Sequence, residues 1–300
     1  MNPKSTSKLS LGIIYFFSVV VILILLSLLM VILFEGLPHL SFHFLTSHSS
    51  AFEAGGGISD QLFNSFYLLV LSLLISFPIS LFSAIYLVEF ANQKSNFIRY
   101  FRSAIEVLSS LPSIVVGLFG FLLFVLKFHF GFSVLSGAVA LTFFNLPLLT
   151  SQIENSLRAV SNLQREAGLA LGISKWETTI KIVLPIAIPS IITGVVLSAG
   201  RVFGEAACLL FTSGQSAPQL NWLNWNPLNS SSPLNPMRPA ENLAVHIWKV
   251  NSEGTMPDAT AVSAGTSAVL VIFILIFNFF ARFLGNKLYK KMTAGSNKEK

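Results

Sequence analysis

An all-α polytopic membrane protein with six transmembrane helices is the fold this sequence predicts, and three observations carry the prediction. Hydrophobic residues make up 53% of the 300 and charged residues 11%, where a soluble domain carries about 25% charge. Six apolar stretches, 11–34, 62–88, 107–126, 132–150, 186–211 and 261–280, approach or exceed the roughly 20 helical residues that cross about 30 Å of hydrocarbon. The 19 Lys and Arg residues cluster in alternate loops, the pattern left by loops that stay in the cytoplasm.

The segments follow in order. Lys4 and Lys8 precede the first stretch as they would in a secretory leader. Its 24 residues exceed a leader core of about 7–15, and no small-residue cleavage site follows. Residues 11–34 are therefore expected to remain as an anchor behind a cytoplasmic N-terminus, 1–10. An external loop, 35–61, leads to a core of five spans at 62–285, which includes a cytoplasmic loop at 151–185 and an external loop at 213–258. A cytoplasmic tail, 286–300, ends in a stretch from Thr293 whose polar composition predicts disorder.

With that orientation fifteen of the 19 basic residues lie inside: Lys4, Lys8, Lys94, Arg99, Arg102, Arg158, Arg165, Lys175, Lys181, Arg282, Lys287, Lys290, Lys291, Lys298 and Lys300. Lys127, Arg238 and Lys249 lie outside, and Arg201 lies within a span. The net charge of +6 is thus dispersed over juxtamembrane loops, which argues for lipid contact and against a nucleic-acid partner.

Little enzymatic chemistry is encoded. The lone Cys208 excludes an intramolecular disulfide, and no Cys/His cluster has metal-ligand spacing. His39, His43, His48, His129 and His246 are expected at the surface of external loops, since no carboxylate at a telling spacing marks any of them. Gly55-Gly56-Gly57 lacks the lysine and the strand–helix context of a phosphate cradle. The chain is thus expected to bind no cofactor and, by itself, to hydrolyse no ATP.

Residues 151–185 are longer than a connection requires. Glu166-Ala167-Gly168-Leu169-Ala170-Leu171 reads as a short helix stopped by Gly172, because glycine takes the left-handed position past a helix end. Ser174 and Glu177 have capping-box spacing for a second helix. Ile180, Val183, Leu184 and Ala187 give that helix an apolar face running towards the membrane. The result is a helix–turn–helix projecting from the cytoplasmic side; a surface hairpin lying on lipid headgroups has the same periodicity.

Glu166-Ala167-Gly168, three residues, Gly172, nine residues, then Ile182-Val183-Leu184-Pro185 resembles the E-A-A-x3-G-x9-I-x-L-P motif of binding-protein-dependent ABC importer permeases, with Gly168 in place of the third-position Ala. The resemblance extends from about Gly55 onwards and is closest to the phosphate permeases of the PstA type. Tyr86-Leu87-Val88-Glu89-Phe90-Ala91 is similar to the end of their second span. Residues 111–120, with Pro112, Gly117 and Gly120, are similar to their bent third span, and Gly200-Arg201-Val202-Phe203-Gly204-Glu205-Ala206-Ala207 is similar to their fifth-span A-R-A-x-G-E-T-A stretch. Ala206 stands where the usual residue is Thr. The stretch from Ala240 to Lys290 favours the PstA over the PstC type.

The resemblance implies a type I importer permease in the bacterial inner membrane that forms half of a phosphate path. It implies a second, PstC-like permease, a PstB-like ATPase dimer that uses ATP and Mg, and a PstS-like external phosphate-binding protein. Glu166, Ala167, Gly168, Gly172, Leu184 and Pro185 would then couple the chain to the ATPase. Trp222, Trp225 and Trp248 would either meet the binding protein or anchor at the membrane interface.

Arg201 and Glu205 are the charges inside a span. A charge at membrane depth costs several kcal/mol and marks a partner or a water-lined path. In a continuous helix the two are i, i+4 and share a face. They therefore either neutralise each other or line an anion path, Arg201 offering a planar donor fork to a phosphate. Sulfate, molybdate and phosphonate fit the same chemistry. A secondary anion transporter would also place charge at this depth, but with paired repeats of broken helices.

Overall fold

The computed structural model describes residues 3–50, 53–254 and 256–294, and every regular element among them is helical. An apolar solvent leaves the backbone no outside hydrogen-bond partner, so a spanning segment must satisfy its own N–H and C=O groups. Among the described residues five helices are long and apolar enough to cross a membrane, and a bent pair supplies a sixth if it is counted as one span.

The first is α1 (Pro3–Gly36), whose apolar length is almost wholly exposed. It meets α12 (Ala259–Ala294) at Gly36, where a Cβ would collide with the Ala264 backbone and the Ala268 side chain. A short helix, α2 (Phe42–Thr46), precedes α3 (Ser59–Ile85), which continues as a π-turn over Tyr86–Phe90. α3 packs along α6 (Val134–Arg158). Ser72, Ser76 and Ser80 of α3 lie fully buried in that interface, where small side chains let the backbones approach.

The third expected span, 107–126, is not one helix. α4 (Asn96–Ser110) is an amphipathic helix whose Phe97, Tyr100, Val107 and Leu108 are exposed, and it meets α5 (Ser113–Gly120) at an angle of 98°. Pro112 cannot continue a ladder, and it forces Leu111 to an extended ψ of 134°. α5 passes through a second π-turn, Phe121–Lys127.

The fifth expected span, 186–211, also breaks. Lys175–Thr178 (α8), a third π-turn at Thr179–Val183 and α9 (Leu184–Phe203) form one unbroken 29-residue helix. It ends at Gly204, and a separate α10 (Ala207–Thr212) follows. α10 is held against α5, where Gly117 faces the Cys208 backbone so closely that a Cβ would lie 2.9 Å from its Cα.

Residues 213–258, expected as an external loop, contain α11 (Leu243–Glu253), capped by the Asn242 side chain and ended by Gly254 at φ 59°. α12 runs on through Ala294, so the expected tail is helical as far as it is described; Lys298 and Lys300 lie outside the described residues.

The buried core has two main parts. One joins α3, α6, α9, α10 and α11 around Leu68, Leu141, Leu209 and Leu243. The other, around Ile85, Ile153, Leu157 and Val183, ties the ends of α3 and α6 to the start of α9. That second cluster supports the helix–turn–helix at one end of the molecule.

Candidate functional site

At that end α7 (Asn162–Ala170) is the first arm of the helix–turn–helix, with Ser161 as its N-cap. Gly172 has φ 77°, the left-handed stop its position predicts. The capping box is formed: Ser174 Oγ accepts from Glu177 N at 3.2 Å and Glu177 Oε2 accepts from Ser174 N at 3.3 Å. Gly168 has a packing reason. A Cβ there would come within 2.8 Å of Thr178 Cγ2 and 2.9 Å of Ile182 Cδ1, so the arms touch where the motif's usual Ala would crowd them.

Glu166, Ala167 and Gly172 are exposed, as are Leu163, Leu169, Leu171 and Trp176 around them, with Leu171 80% exposed. Leu184 and Pro185 are half-buried at the start of α9, Leu184 against the core. They fix the second arm and are not part of the exposed face.

A clamp that sequence reasoning missed holds α7 to the spans. Arg165 Nε donates to Glu89 Oε1 at 3.0 Å and Arg165 Nη2 donates to the Leu157 carbonyl at 2.7 Å; its Nη1 reaches the Val160 carbonyl. Glu89 is 8% exposed. One guanidinium thus joins the end of α3, the last turn of α6 and α7, satisfying carbonyls that a helix terminus leaves free. The available signal was a carboxylate at the polar end of an apolar span.

Arg201 stands two residues before the end of α9, about 24 Å along the helix beyond Pro185. It is exposed, on a stripe with Ile186, Ser190, Thr193 and Leu197. Its guanidinium lies over the Phe144 ring of α6 at 4.1 Å, a contact worth about 0.5–2 kcal/mol depending on desolvation. Beside it, buried Ser198 of α9 donates to Asn145 Oδ1 of α6 at 2.9 Å. Sequence reasoning missed Phe144 and Asn145; the polar Asn145 within an apolar span was the signal.

Glu205 does not share a helical face with Arg201. No ion pair among the described residues joins them. The helix turns off at Gly204, and Glu205 Oε1 instead accepts from Cys208 N at 3.1 Å, capping α10. The Glu205 carbonyl accepts from Asn242 Nδ2 at 2.9 Å, tying the break to α11. On the other side, Asn278 and Ile274 of α12 lie against Gly200 and Gly204, so these glycines do admit a neighbouring helix.

His39, His43 and His129 are exposed as expected, but two histidines at the end of the bundle opposite α7 depart from expectation. His246 is 2% exposed and sits 2.7 Å from Glu241 Oε1, and His48 sits 2.8 Å from Asp60 Oδ2. Arg238 is also buried, its Nη2 donating to Asn64 Oδ1 at 2.7 Å. Burial pushes its pKa down to about 10, with Tyr67 and Asp60 opposing the fall, so it stays cationic at neutral pH. Asx turns at Asn221, Asn224, Asn226 and Asn229 order the loop above. Trp222 and Trp225 pack on Phe63. These contacts secure the loop and α11 to the start of α3.

Membrane-spanning helices, a projecting helix–turn–helix and a broken span bearing an arginine define a transport permease. The chain belongs to the family described as binding-protein-dependent transport system inner membrane component, whose model matches residues 76–294. It is therefore the membrane-spanning permease of an ABC importer. It is similar to the probable ABC transporter permease protein YqgI of Bacillus subtilis, 51% identical over 296 residues, 98% of this chain and 100% of that one. It is also similar to the phosphate transport system permease protein PstA of Haemophilus influenzae, 32% identical over 279 residues and 93% of each chain.

Among solved structures, a bacterial alginate ABC transporter in complex with its pentasaccharide-bound periplasmic protein matches with a TM-score of 0.64 at 14% identity, over 95% of this chain and 96% of that one. The inward-facing methionine transporter MetNI matches with a TM-score of 0.57 at 14% identity, over 77% and 94%. Both establish the type I importer permease fold.

The cap predicts a graded response. Glu205→Gln keeps an oxygen acceptor for Cys208 N and should leave the thermal unfolding of the purified complex nearly unchanged. Glu205→Ala should cost about 1 kcal/mol. Equal destabilisation by both variants would mean that the charge, and not the cap, holds the break.

Proposed function

We propose that this chain is the PstA-type subunit of an ATP-driven importer of inorganic phosphate, with Arg201 on the substrate path. The observation that carries this reading is a guanidinium on the exposed stripe of α9, stacked on Phe144 and paired with no carboxylate among the described residues. Such a group keeps its bidentate fork for an incoming oxyanion. The similarity to the Haemophilus PstA supports phosphate as the anion. A sulfate, molybdate or phosphonate importer is the second reading, because the same fork binds those oxyanions.

On this reading both termini and α7 face the cytoplasm, the bacterial inner membrane holds the spans, and the opposite loops meet an external phosphate-binding protein. A second permease of the PstC type completes the path. A separate ATPase dimer binds ATP and Mg and docks on α7, where Glu166, Ala167 and the apolar Leu163 and Leu171 are presented. Arg165 and Glu89 pass its movement to α3 and α6.

Uptake of radiolabelled phosphate by the reconstituted complex, with sulfate as competitor, tests the substrate. Arg201→Ala should reduce uptake at least about 100-fold, the loss of a charge-assisted pair worth roughly 3 kcal/mol, while assembly persists. Arg201→Lys should restore little, since an ammonium lacks the fork. Wild-type uptake by Arg201→Ala, or sulfate uptake in place of phosphate, would contradict the reading.

Gly172→Val should uncouple the transporter, because a β-branched residue is strained at φ 77°. The ATPase rate stimulated by the binding protein should fall while the spans still insert. Normal stimulation would remove α7 from the coupling path.

A further inference from the structure

Between α7 and the ends of the spans lies a cleft of about 400 Å³, lined by Glu89, Arg158, Asn162, Arg165, Lys175 and Thr178 among others. Its cations come from three elements: the last turn of α6, α7, and the first residue of α8. Arg158 shares Glu154 with Arg102, at 2.8 and 3.0 Å, and Arg165 is paired with Glu89. Lys175 has no ion-pair partner among the described residues; its Nζ rests 5.3 Å above the Phe90 ring. Three cations, Arg158, Arg165 and Lys175, thus line the cleft with one carboxylate, Glu89, while Arg158 shares Glu154 outside the lining with Arg102 of α4. Glu177 is already engaged with Lys181 at 3.0 Å.

Thr178 adds an independent observation. It lines the cleft, is 3% exposed, and its Oγ1 has no hydrogen-bond partner among the described residues. A buried hydroxyl without a partner costs free energy that an anionic oxygen would recover.

We propose that this cleft binds a phosphate-bearing anion, supplied either as free inorganic phosphate or as the headgroup of an anionic lipid. Lys175 Nζ and the donors of Arg158 not taken by Glu154 and Gln93 hold the anion. The Thr178 hydroxyl completes the oxygen contacts. The anion bridges α6 to the second arm of the helix–turn–helix, on which α7 packs through Gly168, so its occupancy sets how firmly the helix–turn–helix is held to the spans. The cytoplasmic placement of the cleft rests on the reading above; the binding chemistry does not.

The test uses the assembled complex in nanodiscs, which expose both faces whatever the orientation. An amine-acylating reagent is applied and modification of Lys175 is quantified by mass spectrometry against Lys181, which is exposed on the same helix. In discs of phosphatidylcholine alone, inorganic phosphate at ten times its Kd should slow Lys175 about ten-fold relative to chloride of equal ionic strength, with Lys181 unchanged. Protection by phosphate in these discs identifies the free anion. Protection only in phosphatidylglycerol discs without phosphate identifies the headgroup.

Arg158→Gln should shrink either effect, and Arg201→Ala should leave it intact. Failure of the transport reading would thus not be mistaken for failure here. No protection in either arm, or equal slowing by chloride, overturns the proposal. So does a Lys175 that is unreactive in every condition while Lys181 reacts, since the cleft would then be covered by a partner subunit.

Discussion

The break between α9 and α10 is the constraint on which the arginine site depends. A helix ending among apolar neighbours leaves amides and carbonyls without partners. Here Glu205 supplies an acceptor to the amide of Cys208, and Asn242 supplies a donor to the Glu205 carbonyl. Asn242 also caps α11 through its Oδ1, at 2.8 Å from Val245 N. One short segment therefore fixes where α9 stops, how α10 sits against Gly117, and where α11 begins. With Glu205 occupied by the cap, the Arg201 guanidinium is left to Phe144.

The α7 end follows a related logic with charge in place of capping. Three carbonyl or carboxylate acceptors, from the end of α3, from α6 and from the turn after α6, converge on Arg165, and close contact at Gly168 holds the two arms together. A force applied to the exposed face of α7 meets a short, stiff linkage to two spans. The second arm is stiffer still, because Lys175–Phe203 is one helix that reaches Arg201. The turn of the helix–turn–helix and Arg201 thus lie at opposite ends of the same rod.

Much of this was legible in the sequence. The helical class, the capping box, the left-handed Gly172 and the amphipathic second arm are local properties, set by residue type over a few positions. What failed depended on assuming continuity. Placing Arg201 and Glu205 on one face required an unbroken helix through Gly204, and the packing of α10 on α5 is a tertiary fact that hydropathy does not carry. Pro112 did announce a bend, but a 98° turn comes from the amphipathic α4 having its own surface to follow. His246 looks like a surface residue in the sequence because its partner Glu241 gains meaning only once α11 forms. Arg238 looks like a loop charge in the sequence because Asn64, which accepts from it, lies on α3, far away in sequence. The Arg165–Glu89 clamp was hidden for the same reason.

The central claim is that Arg201 acts on the anion and Glu205 on the backbone. It is tested most directly by phosphate uptake in the double variant Arg201→Gln, Glu205→Gln, expressed per assembled complex. Loss of uptake equal to that of Arg201→Gln alone, with assembly intact, is the predicted result. Wild-type uptake by the double variant would mean that the two charges merely balance each other, and would contradict the account.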